Sequence, residues 1–239
     1  MDRRFFLKSA AAAAAVAGTT DIATAAEHIS SLGEEPEAKP LIASAPMLQN
    51  FAETSIGVAF AVNGLANGYV LIGERKDLQD ARKVLCGGYR LADIDERVIQ
   101  VRITGLKPAT KYYYRIGADR IHYGGGYDMK VLGNEEDPRV YSFTTAGRGL
   151  KGKFCVINDT HVRWPTIGAE LDKIAEIAPS CVIWNGDASN TEEKLENLVN
   201  IYLDHSLDRK DYAAETPYLF CPGTRKKTTI RPDSDSLFL

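Results

Sequence analysis

Histidine, cysteine, methionine and tryptophan are all scarce in this 239-residue sequence, at four, four, three and two residues. The cysteines (Cys86, Cys155, Cys181 and Cys221) are too sparse for a disulfide scaffold. Three of them sit in apolar strand-like runs, "KFCVIN", "SCVIWN" and "YLFCPG", where cysteine is expected as a small buried hydrophobe. Charge of one sign is also lacking. The net charge is -3, with neither a basic stripe nor a long acidic block, so no nucleic-acid partner is expected. No apolar run approaches the roughly 18 to 20 residues of a membrane-spanning helix, so no stable membrane span is expected. No Gly-x-Gly-x-x-Gly follows the strand-like run at 154–158, which argues against a dinucleotide site.

What is present divides into five stretches. Residues 1–25 carry Arg3-Arg4, then Phe6-Leu7-Lys8, an alanine-rich stretch and Ala23-Thr24-Ala25. This reads as a twin-arginine-type export signal, and implies a periplasmic or cell-envelope location. Asp2 departs from the Ser or Thr usual in that pattern. Residues 26–44 are polar, proline-containing and aperiodic, and read as a linker. From 45 to 147 the runs are short and rich in Val, Ile, Tyr, Phe and Thr. In "RVIQVRITG", Ile99, Val101 and Ile103 alternate with Val98, Gln100 and Arg102. Such strands predict an antiparallel β-sandwich. Leu106, Pro108 and Tyr112 predict a tyrosine corner, its phenol bonded to upstream backbone. "HYGGGYDMKVLGNEEDP" reads as a long glycine-rich hairpin or loop.

A Gly- and Lys-rich joint at 146–153 precedes a change of period. "KFCVIND", "CVIWNGD" and "PYLFCPG" read as strands. Ile167, Leu171, Ile174 and Ala178 mark one helix between them, and Lys194–Leu207, with Thr191 as N-cap, a second. This β-α-β-α-β order over 152–223 predicts a parallel sheet covered on both faces. Sites in such sheets gather beyond the carboxyl ends of the strands. There the first strand delivers Asp159-Thr160-His161, and the second delivers Asn185-Gly186-Asp187. Each is alone consistent with a polar turn. On consecutive strands of one βαβ unit they read better as a metal corner, with Asn158 and Asn190 as supporting neighbours. Trp164 either lines the cleft or packs at the strand–helix joint.

"DTH" followed by "WNGDASN" resembles the first two motifs of the calcineurin-like metallophosphoesterases. "APMLQNFAETSIGVAF" and "GLKPATKYYYRIG" resemble the fibronectin-III-like domain of the purple-acid-phosphatase-like arm. The resemblance runs over about residues 40 to 223. It implies an all-β fibronectin-III-like sandwich followed by a partial α/β metallophosphoesterase domain. It further implies two-metal hydrolysis of a phosphate-ester substrate, with ions of Fe, Mn or Zn type. Asp159 and His161 would bind the first metal, and Asp187 would bridge both. Asn190 stands where purple enzymes carry a tyrosine ligand, so the colour is not expected.

The resemblance ends at Pro222-Gly223. Thr224 and Arg225 stand where the family has an asparagine ligand and its catalytic histidine, so no catalytic histidine is assigned. Only His205 follows His161, and His28 and His122 lie upstream. Residues 224–239 are aperiodic, and a frame shift or cut after Gly223 is expected. The competing expectation is a non-catalytic binding module in which the sandwich is the functional part. The sequence leaves the oligomeric state open.

Overall fold

The structure is a computed structural model that describes residues 39–87, 98–125, 127–149, 151–161, 163–188, 203 and 212–221. The proposed signal, His28, Asn190, His205 and residues 222–239 lie outside the described residues, as does the side chain of Trp164. The described residues from Pro40 onward belong to one compact unit.

Among the described residues eight strands come first: β1 (Met47–Gln49), β2 (Ser55–Ala61), β3 (Ala66–Gly73), β4 (Arg82–Leu85), β5 (Val98–Thr104), β6 (Lys111–Gly125), β7 (Asp128–Glu136) and β8 (Tyr141–Thr144). They form two antiparallel sheets, β1-β2-β5 and β4-β3-β6-β7, with β8 also paired to β6. The alternation read in β5 holds: Ile99, Val101 and Ile103 are at most 6% exposed, while Arg102 faces solvent. They share one core with Ile56, Val58 and Phe60 of β2 and with Val70, Ile72, Tyr114 and Ile116 of the facing sheet. The approach of the two sheets depends on Gly68, where a Cβ would lie 2.1 Å from Ile99 Cγ2.

The tyrosine corner is formed. The Lys107 N–H donates to the Tyr112 phenol oxygen at 2.9 Å, and Tyr112 is buried. The glycine-rich stretch is the β6–β7 hairpin, with Tyr127, Met129, Val131 and Leu132 exposed near its tip. The chain is packed ahead of the expected boundary at 45. Leu41 is 2% exposed, and the Leu41 and Ile42 N–H groups donate to the Glu135 carboxylate at 2.7 and 3.1 Å.

After an irregular joint come β9 (Phe154–Asn158), α1 (Trp164–Ile177), β10 (Cys181–Asn185) and β11 (Tyr218–Cys221). The three strands form a parallel sheet in the order β11-β10-β9. Ile167 and Ile174 of α1 are buried against Ile157, Val182, Trp184 and Tyr218. Ala178 does not extend this stripe. It ends the helix in left-handed geometry, φ 48°, and its N–H returns to the Ile174 carbonyl at 2.9 Å. Of the second expected helix only Leu203 is described, and it is fully buried.

Two expectations need correction. Among the described residues the sheet is covered on one face, since Phe154 and Val156 are 66% and 46% exposed on the face opposite Ile157. The cysteines are also less buried than their apolar runs suggest. Cys155 and Cys181 are half-buried and Cys221 is exposed; Cys86, outside those runs, is half-buried, and none of the four is paired in a disulfide. Cys181 and Cys221 stand in register with Phe154 and Asn158 on that same uncovered face, and Cys155 lies on β9, an edge strand among the described residues, where apolar composition does not guarantee cover.

The sandwich and the parallel sheet are joined by apolar contact and hydrogen bonds. Met47, Ala59 and Ala61 contribute to the same core as Trp184 and Tyr218, so β2 is buried on both faces. The buried Tyr114 phenol donates to the Ala214 carbonyl at 2.5 Å, and the Leu48 N–H donates to the Ala213 carbonyl at 2.9 Å. The segment that leads into β11 is thus anchored on the sandwich just before it enters the sheet.

Candidate metal centre

Strands β9 and β10 run in parallel with Asn158 opposite Asn185, so their carboxyl ends finish level. The Asn185 side-chain N–H donates to Asn158 Oδ1 at 2.9 Å and ties the two ends together. Immediately beyond, both chains turn into left-handed backbone. Asp159 has φ 56°, His161 47°, Gly186 76° and Asp187 42°. Glycine adopts this region freely, and Asp, Asn and His are the side chains that tolerate it best. Of the seven non-glycine residues with positive φ among the described residues, three are these candidate ligands. Such a concentration of costly backbone is typical of functional sites.

The strain is held by bonds between the two turns. The Asp159 N–H donates to the Gly186 carbonyl at 3.3 Å, and the His161 N–H donates to the Asp187 carbonyl at 3.0 Å. The Gly186 N–H in turn donates to the Cys221 carbonyl of β11 at 2.9 Å. The outcome is a cluster. One ligand atom from each of Asp159, His161 and Asp187 lies within 4.8 Å of the other two. His161 Nε2 stands 2.8 Å from Asp159 Oδ1. The Asp159 side chain is 69% exposed and that of His161 18%, so the corner opens to solvent on its aspartate side.

All three residues singled out in the sequence as ligands are therefore brought together. Asn158 is next to them, bonded to Asn185 rather than to a ligand. Asn190 lies outside the described residues. Sequence reasoning missed Thr160 and Trp184. Thr160 is 2% exposed, and the Trp184 indole N–H donates to its hydroxyl at 3.2 Å. A threonine between two polar residues and a tryptophan in an apolar run carry no sign of mutual contact.

The donor set is chemically coherent. An imidazole with two carboxylates suits borderline divalent and trivalent ions, whereas purely oxygen clusters suit magnesium or calcium. Two carboxylates held this close to each other also gain from a cation between them. Among the described residues these three groups can serve one ion.

No family model and no curated protein matches the chain. Among solved structures, the chain is similar to the purple acid phosphatase PPD1 from yellow lupin (Lupinus luteus) seeds. The TM-score is 0.53 at 13% identity, covering 80% of this chain and 38% of that one. It is also similar to PhoD, with a TM-score of 0.52 at 13% identity, covering 78% of this chain and 40% of that one. At this identity the likeness is one of fold. The chain spans about two-fifths of the length of either protein.

Proposed function

We propose that the chain is of the metal-dependent phosphoesterase type, with Asp159, His161 and Asp187 as ligands to a cation of Fe, Mn or Zn type. The observation that carries this reading is the convergence of the three ligand atoms within 4.8 Å at the carboxyl ends of adjacent parallel strands. The fold likeness to a purple acid phosphatase and to PhoD supports phosphate esters as the substrate class.

A bound ion supplies Lewis acidity toward a phosphoryl oxygen. The chain's own residues do the rest. Asp159 and His161 are set on one turn and Asp187 on the other, so the spacing of the two turns fixes the size of the ion seat. The exposed side of Asp159 is where a phosphate ester can reach the corner. The Asn158–Asn185 bridge places two amides at its rim. At the sequence position where the resemblance calls for a catalytic histidine stands Arg225, a residue outside the described ones. A guanidinium binds phosphate but does not give up a proton near neutral pH. Slow turnover is therefore part of the proposal. So are export, which rests on the twin-arginine-type start, and the fibronectin-III-like reading of the sandwich.

The test is release of nitrophenol from an aryl phosphate monoester and diester by the full chain, with Mn(II), Zn(II) or Fe(II) supplied. Metal-dependent release that disappears in Asp187→Asn supports the proposal. Release that ignores metal, or survives in Asp187→Asn, contradicts it. A second reading, a binding module built on the sandwich, draws on the exposed Tyr127, Met129, Val131 and Leu132 of the hairpin. Absence of both metal binding and hydrolysis favours that one.

A further inference from the structure

The Asp159-Thr160-His161 turn sends two side chains toward the corner and one into the protein. Thr160 is 2% exposed, whereas the Asp159 side chain is 69% exposed. What meets Thr160 inside is the indole N–H of Trp184, 3.2 Å from its hydroxyl. Trp184 is 1% exposed, and its ring is set by the core rather than by the corner. Phe220 packs on it at 5.7 Å between ring centroids, and Tyr212 meets it edge-on at 6.4 Å. Both aromatic neighbours belong to the segment around β11, which is itself anchored on the sandwich through Ala213 and Ala214.

Trp184 stands three positions before Asp187 on β10. Its bond to Thr160 therefore links the strand that carries one candidate ligand to the turn that carries the other two. The backbone bonds between the turns act in the same sense, yet that from the Asp159 N–H is long at 3.3 Å. Left-handed residues flank Thr160 on both sides, so no regular ladder continues past Asn158 to hold the turn. The buried side-chain bond is a further tie that sets its height over β10, beside the 3.0 Å bond from the His161 N–H to the Asp187 carbonyl.

We infer that Thr160 and Trp184 are positioning residues for the metal corner. Their hydroxyl–indole bond acts with the backbone bonds between the turns to set the distance between Asp187 and the Asp159–His161 pair, and through it the affinity for a divalent cation. Neither residue touches the ion or the substrate. The inference rests on the proposed metal role of the corner.

The experiment is titration of the full chain with Mn(II), read by calorimetry and by loss of the free-ion electron paramagnetic resonance signal. Four proteins are compared: wild type, Thr160→Val, Thr160→Ser and Trp184→Phe. Valine keeps the shape and removes the acceptor; serine keeps the acceptor; phenylalanine keeps an aromatic ring and removes the donor. Partners that orient ligands from behind cost about 10- to 100-fold in metal affinity when removed. The low end, about tenfold weaker binding, is expected for Thr160→Val and Trp184→Phe, because Thr160 acts through the backbone. Thr160→Ser should stay close to wild type. Thermal unfolding in the absence of metal is recorded alongside, since a merely structural role shifts the melting temperature without shifting the Mn(II) dissociation constant. If Thr160→Val does not fold, Trp184→Phe decides. Equal affinity in the valine and serine variants, or wild-type affinity in both Thr160→Val and Trp184→Phe, overturns the inference while leaving the metal site intact. Absence of Mn(II) binding by the wild type overturns the metal reading itself, and the inference with it.

Discussion

Asp159 is the residue at which backbone strain and candidate chemistry can be separated most cleanly. Its φ of 56° lies in the left-handed region, and its side chain is 69% exposed. Replacing it by glycine or by alanine removes the same carboxylate and the same contact with His161. The two variants differ only in a Cβ. In left-handed backbone that Cβ costs about 1–2 kcal/mol. Glycine gives back part of the difference, because its unfolded chain is more flexible by about 0.4–1 kcal/mol. The expected outcome is that Asp159→Gly is more stable than Asp159→Ala by about 0.5–1 kcal/mol. For a unit of this size that is about 1–4 °C in Tm. Asp172, exposed on α1, provides the control. There alanine should win by about 1 kcal/mol, as at an ordinary helical position. The assay is urea denaturation without metal, comparing midpoints at unchanged slope. An alanine variant at 159 as stable as the glycine variant, or more so, refutes the strained turn.

Three further outcomes test the frame around the corner. Gly68→Ala would drive a methyl to 2.1 Å from Ile99 Cγ2, so a loss of about 1–3 kcal/mol is expected in denaturant titration, and unchanged stability would contradict the sheet packing. Tyr114→Phe removes the donor to the Ala214 carbonyl and leaves that buried group unpaired; about 1–3 kcal/mol should be lost, with faster amide exchange in residues 212–217. Asp137 is 4% exposed, and burial alone would push its carboxyl up. Bonds from the Arg139 guanidinium and backbone and from the Tyr141 phenol outweigh this and hold it below the ordinary carboxylate value. A carboxylate so held contributes stability above its unfolded value, about 3.9, and loses it as pH falls through the lower folded one. Asp137→Asn should therefore flatten the acid limb of a stability–pH curve, and an unchanged limb would contradict the assignment.

The parts legible in the sequence were those with a local signature. Alternation in β5 gives its buried face directly, because side chains of a strand point to opposite sides by geometry. Asp159, His161 and Asp187 could be assembled because the carboxyl ends of parallel strands joined by a helix lie on the same side of the sheet. The Tyr112 corner is likewise encoded within a few residues. What could not be read depends on contacts between distant segments. Ala59 and Ala61 do not announce that β2 is covered on its second face. The apolar letters of Phe154 and Val156 suggested cover that the described residues do not provide. The Trp184–Thr160 bond spans 24 residues and arises only when the aromatic cluster of β10 and β11 is assembled. The support of the corner was therefore hidden while its candidate ligands were visible.

The most direct measurement is Mn(II) titration of the full wild-type chain beside His161→Ala and Asp187→Asn, with the bound ion counted. The account predicts saturable binding of at least one ion by the wild type, and strongly weakened binding in both variants. Wild-type binding that survives both substitutions, or no saturable binding at all, would contradict the assignment of the Asp159–His161–Asp187 corner as a metal site.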